Sequence, residues 1–326
     1  MPLHVVFRAA AGPRIGFGHV VRCRSLARAL GIEASVWLRG SSGARESTRR
    51  AGVRVLDASS VPRPSVLVID DPSAVHAGRI VRQVTALGVR VVSIHDLGRG
   101  LVPSDLAIDG SVCPLSVREC RRRTLTGPRY AMLDPAITRW RQGRAQLSEP
   151  DRVLIALGGG AHVLALGARL GRDIVAGCAG VRVRIVDGFS GRRLPRPEGS
   201  VTWVRAYDGL GEELARATVA VVAGGVTLLE ACAIGVPVVT LAVTPQQVLA
   251  ARAVASAGAS RDAGVASAGR EACRRVAQHV SDLLNDAGAR RSLAANGRRL
   301  VDGRGVFRVA SYVRRLAGPS ERRCAA

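Results

Sequence analysis

At 326 residues the chain is long enough for about two domains with separate cores. Its 47% hydrophobic and 22% charged residues match a globular protein and exclude a disordered one. The net charge of +23 is carried by 48 basic residues, all arginine and scattered along the chain, with no helix-turn-helix pattern, RNA-binding aromatic signature or zinc-ligand spacing; this argues against sequence-specific nucleic-acid binding and favours attraction to anionic small molecules or a membrane surface.

The first apolar run, residues 3–7, predicts a strand. Gly16-Phe17-Gly18-His19 follows, then a helix with apolar residues at Val20, Cys23, Leu26, Ala27 and Leu30 and a terminating Gly31. A strand, a glycine turn and a helix start form an anion-binding site, because unpaired backbone N–H groups and the positive helix end point outward there. His19 adds a titratable imidazole to that turn, with Arg22 three residues on. The turn alone leaves open a packed or capping histidine.

Further short apolar runs alternate with helical stretches. Strands are expected at 34–38, 53–56, 66–69 and 89–94, and helices near 43–51 and 73–87. Such alternation implies a parallel sheet wound with helices, whose ligands bind beyond the carboxyl ends of the strands. His19, Asp70 and Asp96 all lie just past expected strand ends. Residues 119–150 break the pattern, and the polar stretch 138–150 reads as an interdomain linker.

The pattern restarts at 152–157, ending in Gly158-Gly159-Gly160 before a long helix, with further strands near 181–186, 201–205, 218–223 and 237–243. The expected architecture is α/β, with two doubly wound, Rossmann-like domains facing across a cleft. Their expected bounds are 1–137 for the first domain, 151–310 for the second and 311–326 for a C-terminal helix and tail. In the second half a buried strand runs into Gly224-Gly225-Val226-Thr227, and Glu230 follows on the first turn of the next helix. Glycines there let backbone approach a diphosphate, Thr227 adds a hydroxyl, and Glu230 is placed to accept both hydroxyls of a ribose. Helix-dipole pairing is the plainer role for that carboxylate. Gln246 and Gln247, beyond the next strand, suit hydrogen bonding to sugar hydroxyls.

The motif G-G-x-T-x-x-E, followed by A-x-G-x-P and a glutamine-containing loop, resembles the UDP-sugar site of the glycosyltransferase-B superfamily. With Gly16 to Arg22 and the late stretch Asp302-Gly303-Arg304-Gly305-Val306-Phe307-Arg308, the chain resembles one family within it over about residues 3–312. That family is the UDP-2,4-diacetamido-2,4,6-trideoxy-β-L-altropyranose hydrolases of pseudaminic acid biosynthesis, with relatives in spore-coat and surface polysaccharide synthesis. The resemblance implies UDP between the domains, water attacking the anomeric carbon, His19 as acid/base and no metal or other cofactor. It also implies a diphosphate cradle at Gly158, Gly159, Gly160 and Gly224 to Thr227, ribose at Glu230, and Gln247 near the sugar. Asp302 and Arg308 read as a buried ion pair.

Several positions depart from the family pattern: Ala10, Asp71-Pro72, His95-Asp96, Asp134, Gly160-Ala161 and Gln246-Gln247. The nucleotide-holding groups persist while sugar-side groups change. Three readings follow: a UDP-sugar hydrolase, a UDP-sugar-dependent glycosyltransferase, and a catalytically silent UDP-sugar-binding relative. The seven cysteines include no C-x-x-C pair, no apolar run approaches the ~20 residues that cross a bilayer, and residues 1–7 lack the form of a signal peptide. A cytoplasmic protein with reduced thiols is therefore expected.

Overall fold

A computed structural model describes residues 3–12, 15–57, 61–97, 102–112, 123–147, 149–158, 162–188 and 194–318. The first sheet contains β1 (Val5–Ala10), β2 (Ser35–Arg39), β3 (Arg54–Leu56), β4 (Val66–Asp70), β5 (Arg90–His95), β6 (Leu106–Asp109) and β7 (Arg123–Thr126). Its spatial order is β3-β2-β1-β4-β5-β6-β7, with every neighbouring pair parallel. Helices α1 (Gly18–Leu30), α2 (Ser42–Arg50) and α3 (Ala74–Ala86) connect the strands. Strands covered on both faces need continuous apolar runs, and β1 and β4 are buried at every position. The order reverses between β1 and β4, so the loops after these two strands flank the topological switch point.

The second sheet contains β8 (Arg152–Ala156), β9 (Arg182–Val186), β10 (Val201–Val204), β11 (Val219–Val222), β12 (Val238–Ala242) and β13 (Arg261–Val265), in the order β10-β9-β8-β11-β12-β13, again all parallel. Helices α4 (Ile137–Leu147), α5 (His162–Gly177), α6 (Gly211–Arg216), α7 (Val226–Ile234), α8 (Pro245–Ser256), α9 (Arg270–Asn285), α10 (Ala287–Leu300) and α11 (Gly305–Ala317) complete the chain. Here the switch falls between β8 and β11, so each domain presents a strand end and a helix start at its own crevice. Among the described residues no helix is long and apolar enough to cross a membrane.

Two boundaries differ from the sequence reading. The stretch expected as a linker is largely α4, which packs on the second domain. Trp140 lies against Gly211, where an added Cβ would fall 2.2 Å from the indole. Arg141 donates to Ala233 O at 3.0 Å, and Arg144 donates to Gly235 O at 2.9 Å and Ala215 O at 2.7 Å. These carbonyls end helices α7 and α6, so the arginines serve as caps for neighbouring helices. Secondly, α11 runs unbroken across residue 310 and returns to the first domain. Val306, Val309, Ala310 and Val313 join the core that holds Phe7, Leu26 and Ile108. β6, β7 and β13 were not expected from the sequence pattern.

Candidate active site

A cleft of about 640 Å³ runs between the domains, within the range of ligand-binding pockets, and both switch points open onto it. The starts of α1 and α7 face each other across it: a Cβ at Gly18 would lie 3.5 Å from Val226 Cγ2. Two positive helix ends converge on one space, which favours an anionic ligand between them.

The first-domain wall is a charged network. His19 and Arg22 occupy one face of α1, separated by one turn. Asp70 ends β4, and Asp96 follows β5. His19 Nδ1 lies 2.7 Å from Asp70 Oδ1. Arg22 Nε and Nη2 donate to Asp70 Oδ2 and Oδ1, both at 2.8 Å, while Nη1 and Nη2 bond the two oxygens of Asp96, the latter at 2.9 Å. One guanidinium thus bridges two carboxylates as a double fork. Burial alone would lower the basicity of Arg22; the two carboxylates reverse this and hold it firmly protonated. Partial withdrawal from water acts to raise Asp96, but the Arg22 charge and hydrogen bonds bring it below the usual carboxylate range. The Asp96 side chain remains 56% exposed, so it reaches toward the cleft.

His19 Nδ1 also sits 2.9 Å from Arg22 Nη2. A single nitrogen cannot donate and accept at once, and the adjacent Asp70 carboxylate selects the Nδ1–H tautomer on hydrogen-bond grounds. Arg22 Nη2 then donates to the two carboxylates. The lone pair is left on Nε2, which has no hydrogen-bond partner among the described residues and belongs to a side chain lining the cleft.

The second-domain wall is formed by the glycine turn before α7 and by Glu230. Gly225 is the N-cap of α7, and Val226 and Thr227 open the helix onto the cleft. Gly16 and Gly158, with φ of +83° and +112°, adopt the left-handed backbone that glycine tolerates, and both line the cleft. Gly159 and Gly160 lie outside the described residues. Gly224 has a packing role: an added Cβ would fall 2.4 Å from Gln247 O. Glu230 is buried on α7, and removal from water pushes its carboxyl up to about 7, helped by the negative charge of Asp134 and opposed by Arg24.

Both glutamines line the cleft. Gln247 Oε1 accepts from the backbone N–H groups of Val243 and Thr244, at 2.9 and 3.2 Å, so its carbonyl caps α8. Its amide nitrogen stays on the Gly225 side, 3.9 Å from where a Cβ on that glycine would lie. Gln246 is exposed at the cleft edge. Asp71 turns to Arg39, with bonds of 2.8 and 2.5 Å. The Asp302–Arg308 pair is only partly buried and also ties Arg308 to Arg129 O at 2.8 Å. Among the described residues no group of three or more His, Cys, Asp or Glu side chains could hold a metal ion.

One cleft residue, Arg24, had escaped the sequence reading, and His95, read there only as a departure from the family pattern, takes a buried place. Arg24, on a different face of α1 from His19, bonds Ala51 O at 3.1 Å in its own domain and Tyr207 O at 2.5 Å in the other. It therefore links the domains beside Glu230. His95 is buried behind Asp96, with Nε2 2.7 Å from Ser93 Oγ. Neither follows a local motif; only the packed fold brings them to the cleft.

No protein-family model matches the chain. It is 24% identical to the spore coat polysaccharide biosynthesis protein SpsG of Bacillus subtilis (strain 168), over 96% of this chain and 98% of that protein. Among solved structures, the spinosyn forosaminyltransferase SpnP superposes with a TM-score of 0.64 at 17% identity, covering 97% of this chain and 99% of that one. The spinosyn rhamnosyltransferase SpnG, complexed with thymidine diphosphate, gives 0.64 at 18% identity, covering 96% and 100%. MurG of Acinetobacter baumannii gives 0.61 at 13% identity, covering 96% and 99%. The two parallel-sheet domains, their facing switch points and these superpositions assign the chain the glycosyltransferase-B fold.

Proposed function

We propose that the chain cleaves a UDP-sugar at the anomeric carbon, with water as the attacking group and UDP as the leaving group. The observation that carries this reading is the His19–Asp70 pair set opposite the start of α7 and Glu230. His19 Nε2 takes a proton from water as the water oxygen bonds to the anomeric carbon. The bond from that carbon to the β-phosphate oxygen breaks, and its electron pair leaves with UDP. Asp70 stabilises the imidazolium formed at His19, the logic of an oriented histidine base. The N–H groups of Val226 and Thr227 at the positive end of α7 receive the diphosphate charge. Glu230, once ionised, accepts the ribose hydroxyls. Arg22 supplies the positive charge that bridges the carboxylates of Asp70 and Asp96.

A hydroxyl acceptor in place of water is the second reading. The likeness of fold to proteins named as glycosyltransferases favours it, and the same base would serve. UDP release from a panel of UDP-sugars, followed with and without added acceptor sugars, tests both. Release without acceptor supports hydrolysis, release only with acceptor supports transfer, and tight UDP-sugar binding without release in any mixture refutes both in favour of a silent binder.

A further inference from the structure

A second groove lies away from the cleft, between α11 and the 3-10 turn Pro128–Tyr130. α11 is two-faced: Val306, Val309, Ala310 and Val313 are buried in the first-domain core, and the opposite side carries Arg304, Phe307, Arg308 and Arg315. Arg129 and Tyr130 form the facing wall. Phe307 is 43% exposed in the midst of these arginines, a large apolar side chain left partly open to solvent. Asp302 pairs with the groove residue Arg308. Another groove aromatic, Tyr312, is flanked by Arg123 and Arg315, each 4.5 Å from its ring centroid.

We infer that this face docks on an anionic phospholipid surface. Clustered arginines around an exposed phenylalanine, on a helix whose other face is anchored in a core, have the chemistry of an interfacial contact: guanidinium groups meet lipid phosphates and the aromatic ring enters the headgroup region. A single-stranded nucleic acid fits less well. Base stacking needs open aromatic faces, and guanidinium groups stand over the ring of Tyr312. The segment behind the groove also serves the cleft: Tyr130 lines the groove, and Ala131, Met132 and Leu133 line the cleft. Docking here would hold the cleft close to the bilayer. The inference does not depend on the chemistry proposed for the cleft, because none of its groove residues contacts the His19 network.

The test is flotation of the full chain with vesicles of phosphatidylcholine alone, and of phosphatidylcholine and phosphatidylglycerol in equal parts, at near-physiological salt. The expected result is binding to the anionic vesicles only. Arg304→Gln/Phe307→Ser/Arg315→Gln should weaken it by at least about 30-fold, from the two lost charges alone. A charge-matched control, Arg252→Gln/Arg274→Gln on exposed second-domain positions, should change it little. Unaltered thermal unfolding and UDP release in the triple variant show that it is folded. No vesicle binding by the native chain, equal binding to neutral vesicles, or equal loss in the control would each overturn the inference. So would vesicle binding unchanged in the triple variant while oligonucleotide binding is lost.

Discussion

Replacing Glu230 by glutamine keeps the shape of the side chain and removes a charge that the fold tolerates poorly. Burial raises the Glu230 carboxyl from its ordinary 4.5 to about 7. A carboxyl whose folded pKa is raised penalises folding only where the unfolded chain would ionise it, so the penalty is absent below about pH 4.5. Between about pH 4.5 and 7 the unfolded chain releases the proton that the folded chain retains, and stability falls. The loss levels off above pH 7 at about 3 kcal/mol, from a shift of roughly 2.5 units at 1.36 kcal/mol each. Glu230→Gln should therefore be more stable than the native chain at pH 8, by up to about 3 kcal/mol, and similar to it at pH 4.5. Its UDP affinity should move the opposite way, because an amide cannot accept two ribose hydroxyls as a carboxylate can. Native affinity should rise with pH up to about 7 as Glu230 ionises, and glutamine should abolish that dependence. Denaturant unfolding at the two pH values, with calorimetric titration of UDP and 2′-deoxy-UDP, measures both effects. A variant no more stable at pH 8 would refute the buried-charge argument, and one that retains native preference for UDP over its deoxy analogue would refute the ribose role.

Three further outcomes follow from the packing around the site. Asp70→Asn removes the acceptor that fixes the His19 tautomer and should lower turnover by about 10³- to 10⁴-fold, with UDP affinity nearly unchanged, as read by steady-state rates beside calorimetry. Arg22→Met leaves Asp70 and Asp96 facing each other without a cation; unfolding free energy should fall by about 3–5 kcal/mol at pH 7 and recover in part as pH drops and one carboxyl takes a proton. Gly305→Ala places a Cβ 2.3 Å from Ala131 O, a backbone atom that cannot swing away, and should cost about 3 kcal/mol or more in denaturant unfolding.

Much of the architecture is legible in the chain because parallel strands buried on both faces are apolar along most of their length. The runs that become β1, β4, β8 and β11 therefore stand out. His19, Asp70 and Asp96 were legible together by the rule that ligands gather past strand ends, although their shared partner Arg22 requires the packed fold. α4 was hidden by its arginines. Polar in sequence, Arg141 and Arg144 end on buried helix carbonyls, and a composition rule reads them as solvent-facing. The return of α11 to the first domain is a long-range event that no local window contains. Gln247 is different: Thr244-Pro245-Gln246-Gln247 has capping-box spacing, a local signal for the role of its carbonyl that the sequence reading did not use.

The central claim is that His19 carries the chemistry of a UDP-sugar site. It is tested most directly by single-turnover UDP release from a cleavable UDP-sugar, comparing the native chain with His19→Ala at matched substrate occupancy. Loss of the base should slow release by about 10²- to 10⁴-fold while UDP still binds with native affinity. Release at the native rate from the alanine variant would contradict the account.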